Sequence, residues 1–187
     1  MIEILKQIDT WLLLLINGWH SPFFDSVMWA ISTKTVWIPL YLLLLYLLYS
    51  QYKKEAFLIF LSCIVAVALA DSLSVALFKD VFMRFRPSHN PSLEGLVHIV
   101  NNYKGGNYGF ISSHAANTFA VAFFINHFLK RSYSYFTYLI FSWAALVCYS
   151  RIYLGVHYPG DILGGAAFGS FIAFIIIKVY VYIKTLR

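Results

Sequence analysis

The 187-residue chain is 60% apolar and 19% aromatic, with 12% charged residues and a formal net charge of +6. That length suits one domain, but a soluble domain carries about 25% charged residues, so the composition excludes an ordinary soluble protein. The basic residues are scattered between apolar segments instead of forming a continuous stripe, which argues against nucleic acid as a partner and for a bilayer.

From Ile2 to Trp19, apolar Leu5, Ile8, Leu12, Leu15, Ile16 and Trp19 recur at helical spacing beside Glu3, Lys6, Gln7, Asp9 and Asn17. The pattern predicts an amphipathic helix lying along the membrane interface, with a short sixth span as the alternative. The Met1 start lacks a basic n-region and a small-residue cleavage site, so no removable secretory signal is expected. Asn17-Gly18 and Ser21-Pro22 break this helix, and Phe23 to Ile31 reads as a second short amphipathic piece.

Five later stretches come near the ~20 apolar residues that a spanning helix needs. They are Val36 to Tyr49, with Pro39 in its early turns, Ala56 to Phe78, Ala115 to Leu129, Tyr135 to Tyr149 and Ile162 to Ile183. The predicted fold class is all-α, a polytopic membrane helical bundle of about five transmembrane helices plus the interfacial helix. The chain is expected to be one domain, with residues 1–33 interfacial and residues 34–187 forming the bundle.

Counting reversals puts Lys53, Lys54, Lys130, Arg131, Lys178, Lys184 and Arg187 at one end of the bundle. Lys79, Arg86, His114, Arg151, His157 and Asp161 all fall at the other. The positive-inside rule makes the short basic turns cytoplasmic and the opposite face non-cytoplasmic. Short loops and the lack of a eukaryotic targeting extension point to a bacterial inner membrane.

Several features have competing readings. Asp71 is an intramembrane carboxylate, either functional or paired with a basic side chain, Ser72 or Ser74. Between Pro87 and Phe110 the apolar pattern stops; His89, Glu94, His98 and Lys104 lie there at no zinc-like spacing, so the stretch is expected to be a lid or substrate-facing rim. Cys63 and Cys148 each sit in an apolar segment, as packing residues. Gly164, Gly165, Ala166, Ala167 and Gly169 form a small-residue face whose partner the sequence does not choose.

The charged residues carry the chemistry. Lys79, Arg86 and Arg151 would gather three cations near the membrane surface, a costly arrangement unless an anion, most simply a phosphate, occupies it. Ser112 and Ser113 open a helix whose free N–H groups and dipole favour the same anion, and either also serves as an N-cap. His114 and His157 could divide the work of nucleophile and proton donor, and Asp161, four residues after His157, could hold that imidazole in one tautomer.

The order K-x6-R-P, then S-x-H, then S-R-x5-H-x3-D resembles the type 2 phosphatidic acid phosphatase superfamily, from about Phe23 to the C-terminus. Its membrane members hydrolyse lipid phosphates and pyrophosphates. The resemblance implies Lys79, Arg86, Arg151, Ser112 and the backbone around Ser113 as phosphate ligands, and His114 as the general acid. It further implies His157 as the nucleophile that becomes a phosphohistidine, Asp161 as its orienting carboxylate, and neither metal nor other cofactor. The expected substrate is a lipid phosphate taken from the bilayer: undecaprenyl pyrophosphate, phosphatidic acid, phosphatidylglycerol phosphate or a lipid A phosphate. The second motif departs from P-S-G-H, since Ile111 stands for proline and Ser113 for glycine. A serine still donates its backbone N–H but reaches positive φ less readily than glycine, which bears on the shape of the phosphate cradle. A non-hydrolytic lipid-phosphate binding or transport protein is the rival reading.

Overall fold

The computed structural model describes residues 2–186; Met1 and Arg187 lie outside them. The helices are α1 (Ile2–Gly18), α2 (Pro22–Ser32), α3 (Ile38–Tyr52), α4 (Glu55–Ser74), α5 (Asp80–Phe82), α6 (Ser113–Leu129), α7 (Phe136–Tyr153) and α8 (Pro159–Thr185). Among the described residues the only β pairing is an isolated bridge between Phe85 and Tyr108. The fold class is therefore all-helical, as the apolar periodicity implies.

Local chemistry sets the helix ends. Ser21 caps α2 by accepting the Phe24 N–H at 3.4 Å, and Pro22 takes the first position, where no donor is lost. Pro39 lies in the first turn of α3 for the same reason. Ser112 caps α6 by accepting the Ala115 N–H.

The stretches Lys34–Tyr52, Glu55–Phe82 and Pro159–Thr185 are long and apolar enough to cross a membrane. In α4 the buried residues Ala56, Ile59, Cys63, Ala66, Ala70 and Ser74 recur every three or four positions and make one inward stripe. Its other faces present Phe57, Leu61, Ile64, Val65 and Leu69 outward, a girdle suited to lipid and not to water.

α6 has the opposite environment. It is buried on most of its circumference, from Ser113 to Leu129, and packs between α4, α7 and α8. That placement lets it carry His114, Asn117 and Thr118, which would be costly facing lipid. The partner of the small-residue face is also α6: a Cβ at Gly165 would lie 2.9 Å from Ala115 Cβ, and one at Gly169 would lie 2.8 Å from Ala116 Cα.

The two ends of the bundle differ in chemistry. At one, Tyr133 OH bonds Ser50 and Gln51, Tyr52 OH donates to the Phe128 carbonyl, and Lys184 pairs with Glu55. The other end holds the long 83–112 connection, α1 and α2. In α1, Leu5, Ile8 and Leu15 are exposed, as is Trp19 just past its end, whereas two polar residues assigned to its wet face turn inward. Asn17 is buried, donating to the carbonyls of His98 and Tyr153 and accepting the His98 N–H. Asp9 faces α8. These carbonyls and amides have no ladder partner, and a short amide or carboxylate satisfies them.

Candidate active site

The chain delivers its cations in two ways. At the end of α4 the backbone widens into a π turn, Val75–Lys79, and Lys79 at its end reaches the N-terminus of α6. After α5, residues 84–86 run extended, since Pro87 disfavours helix in the residue before it. They pair with 107–109 through Gly109 N–H to the Arg84 carbonyl at 2.9 Å and Arg86 N–H to the Asn107 carbonyl at 3.0 Å. Alternate residues of an extended segment share a face, so Arg84 and Arg86 both point toward the chain around the start of α8, Arg84 to Asp161 and Arg86 to Val156 and His157.

The stretch from Arg151 to His157 is a helix C-cap. Gly155, at φ +69°, takes the left-handed position after α7. Its N–H reaches the Ile152 carbonyl at 2.9 Å and the Val156 N–H reaches the Arg151 carbonyl at 3.2 Å, the paired bonds of a Schellman turn. This turn folds the chain back so that His157 lies beside the cations. Asp161, in the first turn of α8, accepts the Tyr158 N–H at 3.0 Å.

His157 is 1% exposed. Arg86 Nη1 lies 3.1 Å from its Nε2, and Asp161 Oδ2 lies 3.4 Å from its Nδ1. A donor on Nε2 makes that nitrogen the acceptor and leaves the ring proton on Nδ1, facing the carboxylate. Burial, and then the charges of Arg86, Arg151 and Lys79, hold the imidazole well below the ordinary histidine pKa. It is neutral at physiological pH, with a lone pair turned toward the cations.

Lys79 Nζ donates to Ser113 Oγ at 2.7 Å, and Ser113 Oγ also bonds Ser74 Oγ at 2.7 Å. Arg151 is 3% exposed; Nη1 donates to Ser32 Oγ, Nη2 lies 3.5 Å from Tyr103 OH, and Nε has no partner. Among the described residues no carboxylate lies within 4.0 Å of Lys79, Arg86 or Arg151. Three cations buried wholly or in part without a counter-ion form a site that demands an anion. His114, half-buried, lines a cavity of ≈ 170 Å³ with Ser32, Lys34, Asn117 and Thr118, within electrostatic range of Arg151 and His157.

All eight residues singled out from sequence therefore gather at one end of the bundle. Ser113 is the first residue of α6 with ordinary helical backbone, so the positive φ open to a glycine is not used there; its hydroxyl instead holds Lys79. The Asp71 carboxylate accepts from Asn117 Nδ2 at 2.7 Å, a partner not expected of it, and Ser74, one of the expected partners, donates its hydroxyl to the Asp71 backbone carbonyl at 2.7 Å. In the 87–110 stretch, His98 bonds Asp25 at 3.0 Å and His89 lies 3.2 Å from the Gly105 carbonyl, so both tie the loop down; the Tyr103 hydroxyl reaches Arg151, and the Tyr108 carbonyl accepts from Arg86 Nε at 3.2 Å. Sequence reasoning missed Tyr103, Ser32, Ser74 and, above all, Arg84, whose signal was its place two residues before Arg86 on an extended segment.

The family model of the PAP2 superfamily matches residues 55–184. The chain is 43% identical to a lipid A 4'-phosphatase of Bacteroides thetaiotaomicron over 91% of its length and 76% of that protein. It is 37% identical to a lipid A 4'-phosphatase of Porphyromonas gingivalis over 98% of its length and 78% of that protein. Its fold matches the crystal structure of Aquifex aeolicus LpxE with a TM-score of 0.65 at 26% identity, covering 89% of this chain and 93% of that one. It also matches a transmembrane PAP2-type phosphatidylglycerolphosphate phosphatase of Bacillus subtilis with a TM-score of 0.71 at 24% identity, over 98% of this chain and 90% of that one. The apolar helices make it an integral membrane protein, and the motif order, the gathered site and the family match together establish that the chain belongs to the PAP2 superfamily.

Proposed function

We propose that the protein is a lipid phosphatase that works through a phosphohistidine and needs no metal. The observation that carries this reading is His157: neutral, buried, with Nε2 turned into a cluster of unpaired cations and Nδ1 turned to Asp161. Lys79, Arg86 and Arg151 bind the phosphate oxygens, with Ser112, Ser113 and the N-terminus of α6 completing the cradle. The Nε2 lone pair attacks phosphorus, the bond from phosphorus to the lipid oxygen breaks, and His114 gives that oxygen a proton. Asp161 stabilises the positive ring of the intermediate. Water then attacks the phosphohistidine, His114 takes back a proton, and phosphate leaves with His157 neutral again.

For substrate we infer a phosphorylated glycolipid of the lipid A type, because two relatives matching over 91% and 98% of the chain are named for that activity. A relative of Sulfolobus acidocaldarius, 30% identical over 77% of this chain and 63% of that protein, is named undecaprenyl-diphosphatase and keeps pyrophosphates in the comparison. In the membrane we place α3, α4, α6, α7 and α8 across the bilayer and residues 1–33 along its interface, with the site facing the non-cytoplasmic side of a bacterial inner membrane.

The test is phosphate release by detergent-purified protein from lipid A, undecaprenyl pyrophosphate, phosphatidic acid and phosphatidylglycerol phosphate, with and without EDTA. Release that survives EDTA and disappears in His157→Gln is expected, fastest with lipid A. Binding without release, unchanged in the mutant, would identify a carrier instead.

A further inference from the structure

The orienting carboxylate is itself held. Arg84 Nη1 donates to Asp161 Oδ1 at 2.9 Å, leaving Oδ2 to the Tyr158 N–H and His157. Arg84 Nη2 donates to Asp9 Oδ2 at 2.7 Å, and Asp9 Oδ1 accepts the Gly160 N–H at 2.7 Å. The guanidinium also lies 4.0 Å over the Tyr158 ring. At the start of α8 the Tyr158 and Gly160 amides are thus satisfied by one carboxylate of the helix's own and one from α1, with a single arginine bridging both.

The close fit around this bridge is specific. A Cβ on Gly160 would lie 2.9 Å from Asp9 Oδ2, and one on Gly109 would lie 3.1 Å from Asp161 Oδ2. Asp161 is fully buried, so its carboxylate has no solvent to orient it. Asp9 belongs to a helix outside the region that the family model matches.

We propose that Arg84 and Asp9 are positioning residues for the reaction: they fix the Asp161 carboxylate in the plane that keeps the His157 ring proton on Nδ1 and Nε2 free. This rests on the reading of His157 as the nucleophile. Neither residue touches the substrate, so their loss lowers kcat and leaves KM in place. The N-terminal helix is consequently part of the catalytic apparatus as well as a membrane contact.

The experiment begins by establishing phosphate release by the unaltered full chain and its loss in His157→Gln; failure there overturns the function and not the bridge. Arg84→Ala is then expected to cut kcat by about 10- to 100-fold with KM within about threefold, since misplacing a reacting group by about 1 Å costs that much. Three readouts separate positioning from mere structure. Millimolar guanidinium restores part of the kcat of Arg84→Ala, because cavities lined by Lys6 and Arg84 open on both sides of the bridge. Arg84→Lys keeps more activity than Arg84→Ala. In an Asp161→Asn background, Arg84→Ala adds no further loss, as expected when it acts through that carboxylate. If Arg84→Ala fails to fold, Asp9→Asn and Arg84→Lys carry the test through the same kcat and KM split. A kcat within threefold of the unaltered protein, a raised KM at unchanged kcat, or full additivity with Asp161→Asn would overturn the proposal.

Discussion

Replacing Gly169 by alanine tests the packing that assembles the site, because propensity and tertiary structure give opposite signs. Glycine inside a helix costs ~1 kcal/mol relative to alanine, so α8 taken alone should gain stability from the change. In the bundle, the new Cβ would run into the Ala116 carbonyl and lie 2.8 Å from Ala116 Cα. Carbon atoms in contact sit at about 3.5–4.0 Å, so α6 and α8 must part by about 1 Å. The obstruction is backbone, which has no rotamer to yield.

Overpacking of this kind costs ~1–3 kcal/mol, which meets or exceeds the propensity gain. The net loss, up to ~2 kcal/mol, corresponds to as much as about 8 °C in Tm for a chain of this size. Activity should suffer more. Ser112 and His114 ride on α6 and Asp161 on α8, and the two helices are joined at the site by the Ser112 N–H to Asp161 carbonyl bond at 3.0 Å. A ~1 Å separation there should lower kcat by about 100-fold. Thermal unfolding in detergent and steady-state phosphate release measure both effects, with Ala167→Leu, on the exposed side of α8, as the neutral control. A Gly169→Ala protein at least as stable and as fast as the original would refute the close α6–α8 crossing.

Two other outcomes follow from the site. Ser113→Ala removes the hydroxyl that Lys79 and Ser74 share, and KM for the phosphorylated lipid should rise about 10-fold, the effect of one hydrogen bond to a charged group. Because the folded protein holds His157 below its ordinary pKa, the unfolded chain binds the extra proton as pH falls through about 6.5. The His157 contribution to stability is full above that pH and declines below it, by about 1.4 kcal/mol per pH unit until the folded pKa is reached. Tm measured against pH should show this slope in the original protein and a shallower one in His157→Gln; equal slopes would contradict a buried neutral imidazole.

The sequence by itself determined what depends on neighbours along the chain. The apolar runs specify helices, and their reversals gather the charged ends at one face. Arg151, His157 and Asp161 are read together from their spacing, and the structure shows why that spacing suffices: a helix end, a left-handed Gly155 and the returning chain fix their relation within a few residues. The phosphate motifs were legible for the same reason: Lys79 and Arg86 stand a few residues apart on either side of α5, and Ser112 to His114 open one helix. The orientation of the N-terminal helix was not legible, since the same Asp9 and Asn17 that mark a wet face in isolation can satisfy buried amides and carbonyls once a partner is present. Only the tertiary structure brings Asp9 to Gly160, 151 positions apart, and sets Arg84 between two carboxylates. It also chose α6 as the partner of the Gly165–Gly169 face and placed that helix, which carries His114, Asn117 and Thr118, where other helices, and not lipid, surround it. Those outcomes depend on how surfaces meet and which polar groups remain unsatisfied there, and no local spacing encodes them.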